Sequence, residues 1–93
     1  MKIKAKFFLT FKELFNEDKA EIELKEGSNL HDLLDLLCGT DKTRRDGIFE
    51  QSGELRSTVN ILKNGQHIGF LGGLQTVLKD EDSIAIFPPM AGG

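Results

Sequence analysis

The sequence predicts an α+β domain in which one mixed sheet packs against a single main helix, and three observations carry that expectation. Two runs near the N-terminus alternate apolar with charged side chains, a leucine-rich stretch with helical spacing follows them, and an apolar run, "SIAIF", stands close to the C-terminus. Period-two alternation marks half-buried strands, a stripe recurring every three to four residues marks a helix against a core, and a continuous apolar run suits a strand buried inside a sheet.

In "KIKAKFFLT", Ile3, Ala5, Phe7 and Leu9 fall on one face, with Lys2, Lys4, Lys6, Phe8 and Thr10 on the other. "FKELFN" places Phe11, Leu14 and Phe15 at helical spacing, and "AEIELKEG" then resumes alternation through Ala20, Ile22 and Leu24. Two antiparallel strands joined by a turn or short helix are expected. In "GSNLHDLLDLLCG", Ser28 or Asn29 can cap the helix, Asp32 suits the positive end of its dipole, and Gly39 can close it in a left-handed conformation. Leu30, Leu33, Leu34 and Leu37 form the stripe that covers the sheet.

The stretch from Thr40 to Thr58 is charged and rich in turn formers, so it reads as an ordered excursion in which Ile48, Phe49 and Leu55 give partial cover. "TVNILKNG" is strand-like and ends in an Asn64-Gly65 hairpin signal, with "QHIGF" as its partner and "LGGL" as a break. If the last strand runs parallel beside the first, the apolar "IAIF" lies at the centre of the sheet. The arrangement is a β-grasp: a mixed sheet cradling one helix.

The 93 residues suit a single domain, and 39% hydrophobic with 29% charged residues is globular composition. Net charge is -3 with both signs interspersed, which argues against partners such as nucleic acid or an anionic membrane. The single cysteine, Cys38, excludes an internal disulfide and a four-cysteine metal site within one chain, and fits a reducing cytoplasm. The N-terminus lacks the apolar core of a signal peptide, and no stretch approaches the ~20 apolar residues that span a bilayer. A cytoplasmic location is expected.

The end of the chain, "FPPMAGG", divides it into a body of residues 1–87 and an extended, flexible tail of residues 88–93. Pro88 and Pro89 cannot donate to a sheet ladder and favour a stiff extended backbone, so they stop the strand and aim the tail outward. At ~3.3–3.6 Å per residue such a tail reaches roughly 20 Å. Gly92 and Gly93 lack a Cβ, so they pass a narrow channel and leave the terminal carbonyl open to attack. Standing alone, such an ending is far more often a frayed terminus than a functional one.

The β-grasp pattern, "KDEDSIAIFPP" and the closing diglycine together resemble the ubiquitin-like sulfur carriers, and most of all the family of molybdopterin synthase small subunits. The likeness runs from "IKAKFF" through "GSNLHDLLDLL" and "LKNG" to "KDEDSIAIFPPMAGG", and is weakest from Thr40 to Thr58. It implies that an adenylating enzyme, using ATP, converts the carboxylate of Gly93 to an acyl-adenylate. A sulfur donor then displaces AMP to leave a thiocarboxylate on Gly93, with Gly92 giving access. The large subunit of the synthase would hold the pterin precursor that receives the sulfur during molybdenum cofactor biosynthesis, so this chain would be a sulfur-donor subunit that binds no cofactor of its own.

The resemblance also implies a docking surface of Phe8, Lys12, Ile68 and Phe87 on the sheet near the tail, and partner contacts along Pro88, Pro89, Met90 and Ala91. Phe8 stands where the other outward residues of its strand are mostly lysines, which favours an interface; packing beneath the Thr40–Thr58 excursion is the alternative. Other functions use the same features. A ubiquitin-like modifier joined to lysines needs the same adenylate, a thiamine-pathway sulfur carrier is a close relative, and a plain β-grasp interaction module would use no terminal chemistry.

Four further features have structural explanations. Lys2, Lys4 and Lys6 fit a solvated strand face, although an anion or partner could use them. His31 and His67 stand far apart and outside any metal-ligand spacing. Cys38 ends an apolar helix, which suits a buried small hydrophobe more than a nucleophile. Gly72-Gly73 lies inside the chain, has no carboxylate, and reads as a turn.

Overall fold

The computed structural model describes residues 1–89. Strand β1, Lys2–Phe7, buries Ile3, Ala5 and Phe7 and exposes its lysines, as alternation predicts. The chain turns at Leu9, whose φ of 53° and ψ of -131° lie where a Cβ is strained, and enters helix α1, Thr10–Phe15, which buries Phe11 and Phe15. Asn16 closes α1 in the left-handed region at φ 59°, ψ 29°, and its N–H donates to the Glu13 carbonyl. Strand β2, Lys19–Glu23, then pairs antiparallel with β1, setting Ala5 opposite Ala20 and Ile3 opposite Ile22.

Helix α2, Leu30–Cys38, begins with Asn29 as its cap. The Asn29 Oδ1 accepts the Asp32 N–H and the Asp32 Oδ2 accepts the Asn29 N–H, both at 2.9 Å, so two otherwise unpaired donors are satisfied reciprocally. Leu30, Leu33 and Leu34 are 0% exposed and Leu37 is also buried. Gly39 takes φ 55° with ψ -130°, which corrects the expectation of a left-handed helical closure: the φ is positive but the backbone lies outside that basin. Only glycine enters that region readily.

The Thr40–Thr58 excursion holds more structure than its charge suggests. Residues Lys42–Ile48 form helix α3, capped by Asp41, whose Oδ1 accepts the Arg44 N–H. The Arg44 guanidinium donates to the carbonyls of Leu14, Leu37 and Phe15 at 3.1, 3.2 and 3.4 Å and lies 5.2 Å from the centre of the Phe15 ring. Carbonyls at helix C-termini lack intrahelical donors. One side chain therefore serves the ends of both α1 and α2, while Ile48 and Phe49 drop into the core.

Strand β3, Asn60–Lys63, leads into the Asn64-Gly65 turn, where φ values of 50° and 84° match a type I′ hairpin. Its partner β4 is only Gln66–His67, after which Ile68–Phe70 and Gly73–Gln75 form single 3-10 turns. Strand β5, Ser83–Phe87, inserts between β1 and β3, parallel to the first and antiparallel to the second. The sheet order is β2-β1-β5-β3-β4, the β-grasp arrangement. Ile3, Ala5, Phe7, Ile61, Ile84 and Ile86 form its inner face, and with the leucines of α2 they make one core.

A Leu34→Ala substitution in this core is expected to cost roughly 2–5 kcal/mol, because the removed atoms leave a cavity that close-packed neighbours fill only in part. Equilibrium urea unfolding measures it. A midpoint close to that of the unaltered protein would mean that Leu34 does not pack between α2 and the sheet.

Candidate functional site

Parallel pairing brings β1 and β5 out at the same end of the sheet. The Phe8 N–H donates to the Ile86 carbonyl at 3.2 Å, continuing the ladder one residue beyond β1. Phe8 and Phe87 thus lie side by side on the outer face, their rings stacked with centroids 4.3 Å apart and planes at 12°. Both are half-buried. Phe8 does not tuck beneath the Thr40–Thr58 excursion; it forms a platform with the last residue of the last strand.

Immediately after this platform Pro88 is buried and Pro89 is exposed, so the packed body continues one residue past β5 before the backbone reaches solvent. Met90, Ala91, Gly92 and Gly93 lie outside the described residues. Lys12 is exposed on α1.

Ile68 departs from the surface expected for it. It is 2% exposed and belongs to the core, while Phe70, two residues on, is 84% exposed. Alternation would set the two on one face, but the 3-10 turn from Ile68 to Phe70 advances about 120° per residue and separates them. Phe70 stands beside His67 with ring centroids 6.2 Å apart, and His67 Nε2 lies 3.4 Å from Asn60 Oδ1. Asn60 is the cross-strand partner of Phe87. The aromatic surface therefore reaches from β1 across the sheet to a residue the sequence pattern did not single out.

The ThiS family profile matches residues 5–93. The chain belongs to the ThiS family. It is 32% identical over 96 residues to small archaeal modifier protein 3 of Haloferax volcanii, covering all of both chains. The solution structure of small archaeal modifier protein 1 from Methanosarcina acetivorans superimposes with a TM-score of 0.84 at 34% identity, covering 99% of this chain and 96% of that one. A Pyrococcus furiosus structure, provisionally described as molybdopterin converting factor subunit 1, gives a TM-score of 0.76 at 30% identity over 97% of this chain and 99% of that one. The family is one of ubiquitin-like sulfur carriers, and its relatives include modifiers.

In this ThiS-family chain the register of β5 places Phe87, and a polar knot at the opposite end of the strand fixes that register. Asn64 Nδ2 donates to Asp82 Oδ1 at 2.9 Å, the Lys79 N–H donates to Asp82 Oδ2 at 2.8 Å, and the Ser83 N–H donates to Asn64 Oδ1 at 2.9 Å. The Asp82 carbonyl accepts the Lys4 N–H, so the knot joins the β3–β4 hairpin to β1 as well as to β5. Burial of Asp82 would raise its pKa, but donation from Asn64, the Lys79 N–H and the nearby Lys63 charge together outweigh burial and hold it below the usual value.

The remaining candidates take structural places. Burial pushes the Cys38 thiol up to about 11, against a weaker pull from Arg45 and Arg44, so little thiolate forms at neutral pH. His67 Nδ1 accepts the Gly69 N–H at 2.9 Å and caps a turn, and His31 lies against the Phe49 ring. Among the described residues no group of three or more His, Cys, Asp or Glu side chains is placed to hold a metal ion, and no helix is long and apolar enough to cross a membrane. Gly72 and Gly73 have φ values of 146° and 59° and form the turn expected of them.

Replacing Asp82 with Asn is expected to lower the unfolding free energy near pH 7. Because the native pKa is depressed, the carboxylate's contribution is present above its unfolded value of ~3.9 and is lost as pH falls through the lower native value. Unfolding curves from pH 7 to pH 2 should therefore converge for the two proteins at the acid end. A gap that stays constant with pH would show that the charge of Asp82 contributes nothing.

Proposed function

We propose that this ThiS-family protein carries sulfur as a terminal thiocarboxylate on Gly93 and delivers it to a pterin precursor as the small subunit of a molybdopterin synthase. The observation that supports the reading is the delivery of the chain, at Pro89, from beside the outward Phe8–Phe87 platform. A partner gripping those rings receives the tail in a fixed direction. The residues matched to the family run through Gly93, and a structural relative bears the molybdopterin assignment.

The chemistry requires an activating enzyme, a sulfur donor and the large synthase subunit as partners. A C-terminal carboxylate has a pKa near ~3.5 and is a poor electrophile at neutral pH. Its oxygen attacks the α-phosphorus of ATP and expels pyrophosphate, leaving an acyl-adenylate. The terminal sulfur of a donor persulfide attacks the carbonyl and expels AMP, and a thiol then attacks the donor-side sulfur of the resulting acyl disulfide, releasing the thiocarboxylate and leaving the donor as a disulfide. Attack on the pterin precursor then moves sulfur to the substrate, and hydrolysis of the acyl group returns the carboxylate. The domain orients the reagent; the pocket belongs to the large subunit, and the tail from Pro89 onward enters it, with Pro88 held in the body.

A second reading is favoured by the full-length similarity to a small archaeal modifier protein: the same adenylate could be passed to a lysine of another protein. Intact mass after incubation with the cognate activating enzyme, ATP and a sulfur donor separates the two. A carrier gains ~16 Da when sulfur replaces oxygen, whereas a modifier appears in larger isopeptide-linked conjugates.

Removing Gly93 moves the attacked carbonyl by one residue, ~3.5 Å, and misplacement by ~1 Å can cost on the order of a hundredfold in rate. Adenylation and the mass gain are therefore expected to collapse while thermal stability is retained. Thiolation of the shortened chain at the unaltered rate would eliminate the carrier mechanism. Phe8→Asp, which forces a carboxylate into an apolar contact, is expected to weaken binding to the large subunit by several kcal/mol in titration calorimetry; full affinity in a folded variant would remove the platform from the interface.

A further inference from the structure

Strand register draws a charged row beside the aromatic one. Across the outer face run Lys19, Lys6, Ala85, Leu62 and His67, each the cross-strand partner of the next. Phe8 and Phe87 lie one pleat further along β1 and β5, towards the tail. Lys6 and Lys19 thus stand directly opposite one another, an arrangement in which like charges repel and weaken a sheet.

Their neighbours do not share the defect. Lys2 and Lys4 reach Glu21 and Glu81 at 4.0 and 3.1 Å. Among the described residues no carboxylate comes within 4.0 Å of Lys6 or Lys19. Glu21 lies two residues from Lys19 on the same face, yet it is turned towards Lys2. An opposed pair of lysines without a carboxylate partner among the described residues therefore sits next to the aromatic platform of a net-acidic chain.

We infer that Lys6 and Lys19 receive a carboxylate of the activating enzyme, which meets this domain with an acidic side chain beside an apolar pocket for Phe8 and Phe87. The carboxylate relieves the repulsion between the lysines, and the rings exclude water from the new ion pairs, so charge selects the partner and apolar contact holds it. On one side of the pair the next residues on this face are Lys4 and Glu21, with Lys4 already paired to Glu81, and on the other lie Phe8 and Phe87. The positive charge therefore does not continue as a stripe for an extended polyanion such as nucleic acid, and a discrete acidic group is the matching chemistry. The inference rests on the proposed terminal activation, and it applies equally whether the adenylate proceeds to sulfur transfer or to a lysine.

The test is ATP-dependent adenylation of the full chain by its cognate activating enzyme, with the carrier varied at about 20 mM and about 300 mM salt, where screening lengths differ severalfold. Lys6→Glu and Lys19→Glu are expected to raise KM for the carrier at least tenfold at low salt with kcat retained, and the gap should shrink at high salt. Each single change turns a repulsive pair into an attractive one, so melting temperature should hold or rise, a combination a merely structural role does not give. Equal KM values for variant and unaltered protein would overturn the inference while leaving terminal activation intact. If the unaltered chain is not adenylated, the proposed function fails and this inference with it. A concentration-dependent dimer in sedimentation equilibrium that Lys6→Glu abolishes would also overturn it, by making a second copy the occupant of the face.

Discussion

The parallel pairing of β1 with β5 is the constraint on which the rest of the structure depends. It joins the first strand to the last, so the centre of the sheet cannot close until nearly the whole chain is in place. Such long-range pairing carries a loop-closure cost that only the buried inner face can offset, and Ile3, Ala5, Ile84 and Ile86, all 0% exposed, supply that face. The same pairing sends both strands towards one end of the sheet. Phe8 and Phe87 become neighbours there, and the chain leaves the body beside them.

Two polar devices hold the frame around that pair. Arg44 gathers carbonyls from α1 and α2 and ties α3 to them, using the fork of donors that distinguishes arginine from lysine. Asp82 and Asn64 connect the β3–β4 hairpin to the start of β5. A slip of one residue in β5 would turn Ile84 and Ile86 outward and Phe87 inward. Core packing and the polar knot consequently favour the same register, and that register aims the site.

The described body offers little chemistry of its own. The Cys38 thiol is buried with a raised pKa, and the His67 ring is engaged by Gly69 and Asn60. Its distinctive feature is a sheet whose outer face changes from charged to aromatic towards the end where β1 and β5 emerge. This suits a member of the ThiS family of sulfur carriers.

By itself the sequence determined the strands, the main helix and the hairpin turn, because each is written in local terms: period-two alternation, a leucine stripe behind Asn29, and Asn64-Gly65. The diglycine was legible as well, since a terminal motif is a property of the chain rather than of its packing. Tertiary structure decided what depended on partners distant in sequence. Helix α3 has no apolar stripe and exists through a capping aspartate and an arginine reaching other helices. Ile68 went to the core and Phe70 to the surface because β4 stops after two residues and a 3-10 turn replaces alternation. The confrontation of Lys6 with Lys19 is likewise invisible along the chain, for only the register of an antiparallel pair decides which side chains must share a place.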